Sequence, residues 1–250
     1  MSSTSRLSRR TTIALPPTTD QYDAFCSWVI EDATRLTGGG FTLLDIGSGD
    51  GDDDYALNLR PHVTRFSGVD PDPSGARNTV LDEWHQETLE EYASSDTGQF
   101  DCAIAVYVVE HVTDPAGFLR AAATCLRPGG SLFLVTPNRL HYFAPISRLL
   151  AILGLDDRIL GILRKASPDT HDAAHFPVQY RLNSSRALAK FGGEAGFCNL
   201  EIRHLEDSGI FETYFPGRLA KIPRFYSRAV VRLRARSLYG TLLAKLTMPQ

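Results

Sequence analysis

A glycine-rich run directly after an apolar segment is the part of the sequence best suited to ligand chemistry. It reads Asp45-Ile46-Gly47-Ser48-Gly49-Asp50-Gly51 and overlaps the end of the apolar run Phe41–Ile46. Its glycines permit a tight turn with positive φ and let the backbone contact a ligand. Asp52, Asp53 and Asp54 follow and would repel a pyrophosphate, so the turn favours a ligand with a positive centre and hydroxyl groups.

An acidic residue at the end of the next apolar segment could bind the same ligand as this turn. Asp70 comes 19 residues after Gly51 and directly follows the run Arg65–Val69. A carboxylate at this place can accept hydrogen bonds from the 2′ and 3′ hydroxyls of a ribose. The combination predicts a nucleoside site, whereas the glycine-rich run alone would also allow a merely tight strand-to-helix turn.

Buried strands alternating with amphipathic helices must position these residues. The apolar runs typical of buried strands are Phe41–Ile46, Arg65–Val69, Phe100–Val109 and Ser131–Thr136, and Leu238–Leu246 is interpreted as an antiparallel closing strand. One helical pattern covers Gln21–Leu36, with Asp20 as N-cap and Gly38-Gly39-Gly40 after its end. A second covers Pro115–Leu126 and ends at the predicted turn Arg127-Pro128-Gly129-Gly130. This order predicts an α/β fold with a doubly wound, mostly parallel seven-stranded sheet and helices on both faces.

These residues resemble the motifs of class I S-adenosylmethionine-dependent methyltransferases, in the ubiquinone-biosynthesis-like (methyltransferase type 11) subgroup. The similar segments, in chain order, are Asp45–Gly51, Val69-Asp70-Pro71, Phe100–Ala105, Glu110-His111-Val112-Thr113-Asp114-Pro115 and Leu126-Arg127-Pro128-Gly129-Gly130, with a weaker continuation at Ala195-Gly196-Phe197. The resemblance covers roughly residues 40–140. It implies a Rossmann-like fold and S-adenosylmethionine as cofactor, and it leaves the substrate open.

The resemblance also implies roles for individual residues. Gly47, Ser48, Gly49 and Gly51 would pack against the methionine and ribose portions, Asp45 would approach the amino group, Asp70 with Pro71 would hold the ribose diol, and Tyr107 would lie beside the cofactor. The family's helix after Asp70 is not matched, because Pro71, Pro73 and Gly75 disfavour a long helix. The third strand is predicted over Glu83–Gln86, and Glu87 or Thr88 is the candidate contact to adenine.

Two histidines are the candidate catalytic residues. Methyl transfer from a sulfonium is an in-line displacement, and an O–H acceptor also needs a base with a pKa near neutral, most often histidine. His111 follows the fourth strand; packing beside the cofactor, base and metal ligand are its alternative roles, and Tyr107, in place of a metal-binding Glu, weakens the last. His141 lies beyond the fifth strand and is expected to line the substrate pocket, with base action as the alternative.

Residues 141–183 are predicted to form a helical cap inserted after the fifth strand. Within it, Ile146–Leu163 is helical in period and rich in Leu and Ile, which suggests a hydrophobic acceptor pocket. The candidate substrate contacts are Tyr142, His175, Tyr180 and Arg181, the last two as closing contacts of a lid. His171-Asp172 and His175 are loosely spaced and lack an evident third ligand, so no metal site is assigned.

Charge divides the chain unevenly. All 29 acidic residues lie between Asp20 and Glu212, whereas Thr213–Gln250 carries basic residues and no acid. Arg224, Arg228, Arg232 and Arg236 recur every four residues and predict a basic amphipathic helix within residues 184–250, the C-terminal part of the domain. This helix is expected to be a solvated face packed on the domain, with contact to an anionic membrane through residues 224–236 as the alternative; nucleic acid is disfavoured.

The remaining features are those of one globular domain. The chain has 250 residues, 43% hydrophobic and 22% charged. Residues 20–140 are the predicted cofactor-binding core, and residues 1–19 are predicted to be a disordered tail, since Pro16-Pro17 interrupts any export signal. Four cysteines without a CxxC pair indicate reduced thiols and a cytoplasmic protein, with a peripheral membrane location as the alternative.

The expected function is S-adenosylmethionine-dependent methyl transfer to a small or amphiphilic acceptor. O-methylation of a natural product, a quinone or a lipid-linked sugar is favoured. The alternatives are a regulator that binds S-adenosylmethionine without transferase activity and an NAD-dependent dehydrogenase. The acidic residues after Gly51 argue against the dehydrogenase, and the oligomeric state is open.

Overall fold

The fold is built on one mixed β-sheet with helices packed on both faces. The computed structural model describes residues 7, 9–51, 53–95, 100–145, 177–207, 209 and 221–250. The strands are β1 (Arg9–Ala14), β2 (Phe41–Ile46), β3 (Val63–Val69), β4 (Glu83–His85), β5 (Phe100–Val106), β6 (Leu126–Pro137), β7 (Asn199–Leu205) and β8 (Thr241–Thr247). The α-helices are α1 (Gln21–Thr37), α2 (Asp54–Leu59), α3 (Leu89–Ser95), α4 (Pro115–Cys125), α5 (Ser185–Glu194) and α6 (Lys221–Arg232), with short 3₁₀ turns at Arg60–His62, Pro73–Arg77 and Arg236–Leu238.

The strand order places a topological switch point next to the glycine-rich turn. The order is β1-β7-β8-β6-β5-β2-β3-β4. The pairs are parallel except those of β8, which runs antiparallel to β6 and β7. The chain passes outward from β2 through β3 to β4 and then returns to β5 on the other side of β2, so ligands are expected at the carboxyl ends of β2 and β5. The predicted doubly wound, mostly parallel architecture is confirmed.

Strand β1 corrects two sequence-based predictions. The sheet has eight strands, not seven, and Arg9–Ala14 is not part of a disordered tail: it pairs in parallel with β7, from Arg9 opposite Asn199 to Ala14 opposite His204. Its sequence, RRTTIA, lacks the continuous apolar run of a central strand because β1 is an edge strand, where arginine and threonine are tolerated. Pro16-Pro17 follows it and cannot extend the ladder.

The predicted turn before β6 is also different. Leu126 already pairs with Phe100, and Ser131 pairs with Cys102, so residues 127–130 bulge opposite the single residue Asp101. Gly129 takes a φ of 78°, which a glycine adopts without strain. The Arg-Pro-Gly-Gly segment is therefore an irregular part of the strand rather than a separate turn.

Two hydrophobic layers pack on the opposite faces of the sheet. One lies under α1 and α2 and includes Phe25, Trp28, Leu43, Phe66 and Phe133. The other lies under α4 and α5 and includes Leu44, Phe118, Leu134, Leu188 and Leu246. Neighbouring residues of each central strand, such as Leu43 and Leu44, face opposite layers, which explains the nearly continuous apolar strand sequences. All four cysteines are free, and Cys198 is the one that is only partly buried.

Local sequence signals set the ends of α1 as predicted. The Asp20 side chain accepts a hydrogen bond from the Asp23 N–H at 2.9 Å. At the other end, Gly38 adopts the left-handed conformation with a φ of 78°. Between β3 and β4 the chain forms the 3₁₀ turn Pro73–Arg77 in place of a long helix, which the prolines and Gly75 predict. These short elements determine where the side chains around the glycine-rich turn lie.

Candidate active site

The glycine-rich turn after β2 requires glycine for two separate reasons. Gly47, Gly49 and Gly51 have φ values of 72°, 52° and 87°. The Gly47 N–H donates to the Val69 carbonyl at 2.8 Å, which ties the turn to the end of β3. A Cβ on Gly47 would lie 2.4 Å from Cγ2 of Val108, so this glycine also permits a close approach of the loop after β5.

Asp70 holds the turn from the carboxyl end of β3. Its Oδ2 accepts the Gly49 N–H at 2.9 Å, and its Oδ1 accepts the Asp72 N–H at 2.8 Å. The residue is only 8% exposed. A carboxylate has about four lone-pair directions, so each oxygen keeps acceptor capacity for a further donor such as a ribose hydroxyl. Asp70 can thus order the turn and bind a diol with the same group, while the adjacent Pro71 is exposed.

Asn78 is a second support of the turn that the sequence did not reveal. Its Nδ2 donates to the Ser48 carbonyl at 3.0 Å, and its Oδ1 accepts the Val80 N–H at 3.1 Å. A Cβ on Gly51 would lie 2.4 Å from the same Oδ1. Asn78 follows the 3₁₀ turn in the segment that departs from the family pattern, and no local signal marked it.

Asp45 is a fully buried carboxylate at the end of β2. Its Oδ2 accepts the Tyr55 hydroxyl of α2 at 3.2 Å. Its Oδ1 has no hydrogen-bond partner among the described residues, and the same holds for the hydroxyl of buried Ser48. Burial raises the pKa of Asp45 to about 8, against the opposing effect of the Tyr55 hydrogen bond. An unsatisfied buried carboxylate oxygen fits a cationic N–H donor such as the amino group of an amino acid.

Tyr107 connects the end of β5 with the start of α1. It takes a φ of 57°, which is uncommon for a bulky residue and often accompanies a functional site. Its hydroxyl donates to Oε1 of Gln21 at 2.8 Å, and its N–H donates to the Val135 carbonyl at 2.9 Å. Tyr107 therefore lies on the α1 side of the same sheet edge and directs the next residue, Val108, towards Gly47.

The two candidate adenine contacts beyond β4, Glu87 and Thr88, differ in the hydrogen bonds that they already make. The Thr88 hydroxyl donates to Oε2 of Glu91 at 2.7 Å and accepts the Glu91 N–H at 3.3 Å. This reciprocal arrangement is a capping box at the start of α3, and the Thr88 hydroxyl is already used in it. Oε1 of Glu87 lies 3.8 Å from Nδ1 of His85. Of the two candidates, Glu87 therefore has the side chain less engaged in hydrogen bonds within the protein.

A buried polar network lies beside the loop after β5. Oε2 of Glu110 accepts the Thr136 hydroxyl at 3.2 Å, and Nδ2 of Asn183 donates to the same hydroxyl. Burial raises the pKa of Glu110 to about 7. The network joins the ends of β5 and β6 to the segment before α5. The sequence placed Glu110 in a motif without giving it a role, because its partners are distant along the chain.

The two candidate catalytic histidines have different environments. His141 is 1% exposed, and its ring centroid lies 4.3 Å from that of Tyr142 and 4.9 Å from that of Tyr226 on α6. Burial lowers the pKa of His141 to about 4, so its ring is a weak base at neutral pH. His111 is half-buried, and its backbone N–H donates to the Val108 carbonyl at 3.0 Å. His111 is therefore the histidine next to the loop that touches Gly47.

The two predicted closing contacts, Tyr180 and Arg181, lie before α5 and form hydrogen bonds with the loop after β5. The N–H groups of Gln179 and Tyr180 donate to the Glu110 carbonyl at 2.6 and 3.1 Å. Nη1 of Arg181 donates to the Thr113 carbonyl at 2.7 Å. His175 and the predicted cap helix Ile146–Leu163 lie outside the described residues. Within the described ranges, no group of three or more potential ligands is placed to hold a metal ion.

Alanine substitutions in the glycine-rich turn should separate steric blocking from backbone strain. Gly47→Ala places its Cβ against Val108, whereas Gly49→Ala meets open space. We expect Gly47→Ala to weaken binding of S-adenosylhomocysteine at least tenfold more than Gly49→Ala, measured by calorimetry, because only the former displaces the loop after β5. Val108→Ala in the Gly47→Ala background should restore part of the loss. Equal losses for the two variants would contradict this explanation.

Comparisons with known proteins agree with this geometry. The methyltransferase domain family matches residues 15–202. The ubiquinone biosynthesis O-methyltransferases of Aeromonas salmonicida and Sodalis glossinidius are 35% identical over 158 residues and 32% identical over 145 residues. These matches cover 60% and 55% of this chain, and the chain spans 61% and 54% of the length of the two relatives.

The fold is shared with solved methyltransferase structures. A SAM-dependent methyltransferase from Archaeoglobus fulgidus has a TM-score of 0.52 at 16% identity, covering 91% of this chain and 100% of that one. The family match spans most of the present chain and includes the glycine-rich turn, Asp70 and the loop after β5. The resemblance seen in the sequence is therefore confirmed, and the chain belongs to the methyltransferase domain family, within the class I S-adenosylmethionine-dependent methyltransferases.

Proposed function

We propose that this protein transfers a methyl group from S-adenosylmethionine to an oxygen atom of a small or amphiphilic acceptor. The observation that carries the proposal is the buried acidic pair at the switch point: Asp45, with one oxygen lacking a partner among the described residues, and Asp70, which orders the turn. These carboxylates suit an amino group and a ribose diol, respectively. When bound, S-adenosylmethionine supplies the electrophilic methyl carbon. The chain's own residues orient the reactants and exclude water.

His111 is the better candidate for the base that accepts the acceptor's proton. His141 is enclosed by Tyr142 and Tyr226, and its lowered pKa makes it a weak base. His111 is partly accessible in the loop after β5, one turn from Val108. A catalytic base needs a pKa near the working pH and access to the reacting hydroxyl. The lowered pKa and the burial of His141 disfavour it on both counts, and the accessibility of His111 favours His111. His141 then becomes a packing residue of the aromatic cluster with Tyr142 and Tyr226.

Paired substitutions test this assignment. His111→Gln should lower kcat about a hundredfold or more, flatten the rise of kcat with pH, and leave S-adenosylhomocysteine affinity within about twofold of wild type. His141→Gln should mainly lower the unfolding temperature, because it alters buried aromatic packing. The measurements are steady-state kinetics from pH 6 to 9, calorimetry and thermal unfolding. A large kcat loss in His141→Gln with unchanged unfolding temperature would instead make His141 the base.

The names of the relatives, ubiquinone biosynthesis O-methyltransferases, support the proposed acceptor class. We therefore expect methyl transfer from labelled S-adenosylmethionine to phenols that carry apolar tails, with KM falling as the tail lengthens, because the acceptor is amphiphilic. The alternative is a regulator that binds the cofactor without transferring its methyl group. Tight, Asp70-dependent cofactor binding without labelling of any phenol or cell-extract metabolite would favour that alternative.

Helix α6 supports a further proposal about location: contact with an anionic membrane surface. Pro223 and Val230 are buried residues of this helix. Phe225 is 78% exposed, and Leu233, the first residue after the helix, is 76% exposed. Arg228 and Arg232 are exposed on the same segment. Apolar side chains beside arginines are typical of helices that lie in a lipid interface. No helix in the described ranges has the length and apolar character to cross a bilayer.

A vesicle assay checks this proposal. The protein should sediment with vesicles that contain anionic lipid and not with neutral vesicles, and 0.5 M salt should weaken this binding by screening the arginines. The double variant Phe225→Ser/Leu233→Ser should bind about tenfold less, since it removes two apolar side chains from the interface. Leu57→Ser is the matched control, because Leu57 is an exposed apolar residue on α2. Equal binding by all three proteins would contradict the proposal.

A further inference from the structure

A cavity separate from the glycine-rich turn lies near the edge strand β1. Its volume is about 360 Å³, and its walls come from β1, the residues after β6, the start of α5, the end of β7 and the 3₁₀ turn after α6. Along the sheet, β7 is four strand positions from β2, which corresponds to roughly 19 Å at the usual strand spacing. The cavity is therefore distinct from the candidate cofactor site.

Strand register determines which face of the sheet the cavity occupies. Arg10 and Thr12 of β1 pair with Leu200 and Ile202 of β7, and two residues further His204 continues the same row. Leu200 and Ile202 belong to the hydrophobic layer under α4 and α5. The cavity thus lies where this layer ends, between the edge of the sheet and the first residues of α5.

The charge of the lining is the main argument for a ligand. Three arginines, Arg10, Arg186 and Arg236, line the cavity, and none of the described residues in its lining is acidic. Elsewhere in the described residues, Arg60 and Arg65 pair with Asp82 and Glu83. None of the three cavity arginines makes such an ion pair with a described residue. Three exposed arginines around one concave site, none of them in an ion pair with a described residue, favour an anion with several oxygens.

A buried histidine in the lining is independent evidence for a bound ligand. His204 is 4% exposed, and its Nδ1 has no hydrogen-bond partner within the part of the chain that the structure describes. Burial, together with the charge of Arg236, lowers the pKa of His204 to about 4. The ring is therefore neutral at pH 7 and able to make one further hydrogen bond. Leaving such a group unpaired is costly, and a ligand oxygen would remove that cost.

The start of α5 adds hydrogen-bond donors to the same wall. The Ser184 hydroxyl caps the helix by accepting from the Ala187 N–H at 3.2 Å. Ser185 and Arg186 occupy the first turn, where backbone N–H groups have no partner inside the helix and the helix dipole favours negative charge. Thr12, Asn138 and Ser237 are further polar residues of the lining.

We infer that this cavity binds a phosphate-bearing small molecule, through the guanidinium groups of Arg10, Arg186 and Arg236, the His204 ring and the first turn of α5. Phosphate oxygens match several donors converging from different directions, and arginine binds them in a bidentate manner. The volume is sufficient for a phosphate or diphosphate with a small organic group. The phosphate belongs either to the methyl acceptor or to a separate metabolite, and both sources share this chemistry.

Calorimetric titration with pyrophosphate tests the inference without any assay of methyl transfer. Wild-type protein should bind pyrophosphate, and Arg186→Gln and Arg236→Gln should each weaken binding about ten- to a hundredfold, as expected for loss of a charge-assisted contact. Arg232→Gln is the matched control, since it removes the same charge from the exposed face of α6 and should change the Kd less than twofold. No binding by wild type at millimolar pyrophosphate, or equal weakening by all three variants, would overturn the inference.

Two further measurements separate this site from the cofactor site. Arg186→Gln should bind S-adenosylhomocysteine like wild type, and Asp70→Asn should bind pyrophosphate like wild type. The ring signals of His204 in an NMR spectrum should shift on addition of pyrophosphate in wild type and not in Arg186→Gln. If Asp70→Asn abolished pyrophosphate binding instead, the anion would occupy the cofactor turn and the inference would be wrong.

A comparison of acceptors distinguishes the two sources of the phosphate. If it belongs to the acceptor, a phosphorylated phenol should show a KM about tenfold lower than its unphosphorylated form, and Arg186→Gln should abolish the difference. If it belongs to a separate metabolite, the two forms should show the same KM. This arm rests on the proposed methyl transfer, whereas the pyrophosphate titration does not, so failure of one is distinguishable from failure of the other.

Discussion

Replacing Asp70 by asparagine is expected to weaken binding of S-adenosylhomocysteine at least a hundredfold while the protein stays folded. The two Asp70 oxygens accept the N–H groups of Gly49 and Asp72. An asparagine amide keeps one acceptor oxygen and places an N–H₂ donor against the second N–H. The substitution therefore disturbs the glycine-rich turn and also removes the charge that would bind the ribose diol. A charge-assisted contact and an ordered turn together justify a loss of about 3 kcal/mol.

Asp72→Asn is the matched control for this prediction. Its carboxylate is two residues further along the chain and accepts the Ser74 N–H at 2.8 Å, at the start of the 3₁₀ turn. We expect its effect on affinity to stay below about threefold, because this bond caps a surface turn. Calorimetry gives the two affinities, and far-ultraviolet circular dichroism checks that both variants are folded. If Asp70→Asn bound as tightly as Asp72→Asn, Asp70 would not hold the ribose.

Elements that depend on neighbouring residues were predictable from the sequence. β2 has the predicted bounds Phe41–Ile46, and α1 starts at the predicted cap, because both are fixed by local patterns of apolar residues, caps and glycines. The turn itself was predictable for the same reason. β1 was missed because an edge strand needs only one partner, and the paired residues of that partner, β7, lie 190 positions further along the chain.

The parts of the site that were not predicted depend on contacts between distant segments. Asn78 supports the turn from the segment after β3, and Tyr55 reaches Asp45 from α2. Glu110 was within a recognised motif, yet its role depends on Thr136 and Asn183, which meet it only in the folded chain. His141 was a reasonable base by residue type, but sequence does not show the packing with Tyr142 and Tyr226 that lowers its basicity.

The ligand-free protein is expected to lose stability as pH rises from 6 to 8, mainly through Asp45. Its pKa is about 8 in the folded state, well above the ordinary 3.8. A group with a raised folded-state pKa binds more protons folded than unfolded, so its contribution to stability declines as pH rises through that interval. Glu110 and Glu206, with pKa values raised to about 7 by burial, add to the decline. Each group contributes at most about 1.4 kcal/mol per pH unit.

Buried histidines act in the opposite direction at lower pH. His141 and His204 have folded-state pKa values of about 4, below the ordinary 6.5. Their contributions are therefore present above pH 6.5 and are lost as pH falls towards 4. The two histidine contributions therefore partly offset the decline caused by the carboxyl groups below pH 6.5, and above pH 6.5 that decline has no such offset. Urea unfolding at pH 5, 6, 7 and 8 measures the free energy of unfolding at each pH.

Asp45→Asn should separate the contribution of this carboxylate to stability from its contribution to binding. Asparagine removes the buried ionisable group, so the stability of the variant relative to wild type should be about 3 kcal/mol higher at pH 8 than at pH 5. It should also bind S-adenosylhomocysteine more weakly, because an ammonium group loses its carboxylate partner. In wild type, this ammonium would favour the ionised carboxylate, so cofactor binding at pH 7 should release a proton that calorimetry in buffers of different ionisation enthalpy detects. Proton release of the same size in Asp45→Asn would mean that another group titrates, and Asp45 would then not face the amino group of the cofactor.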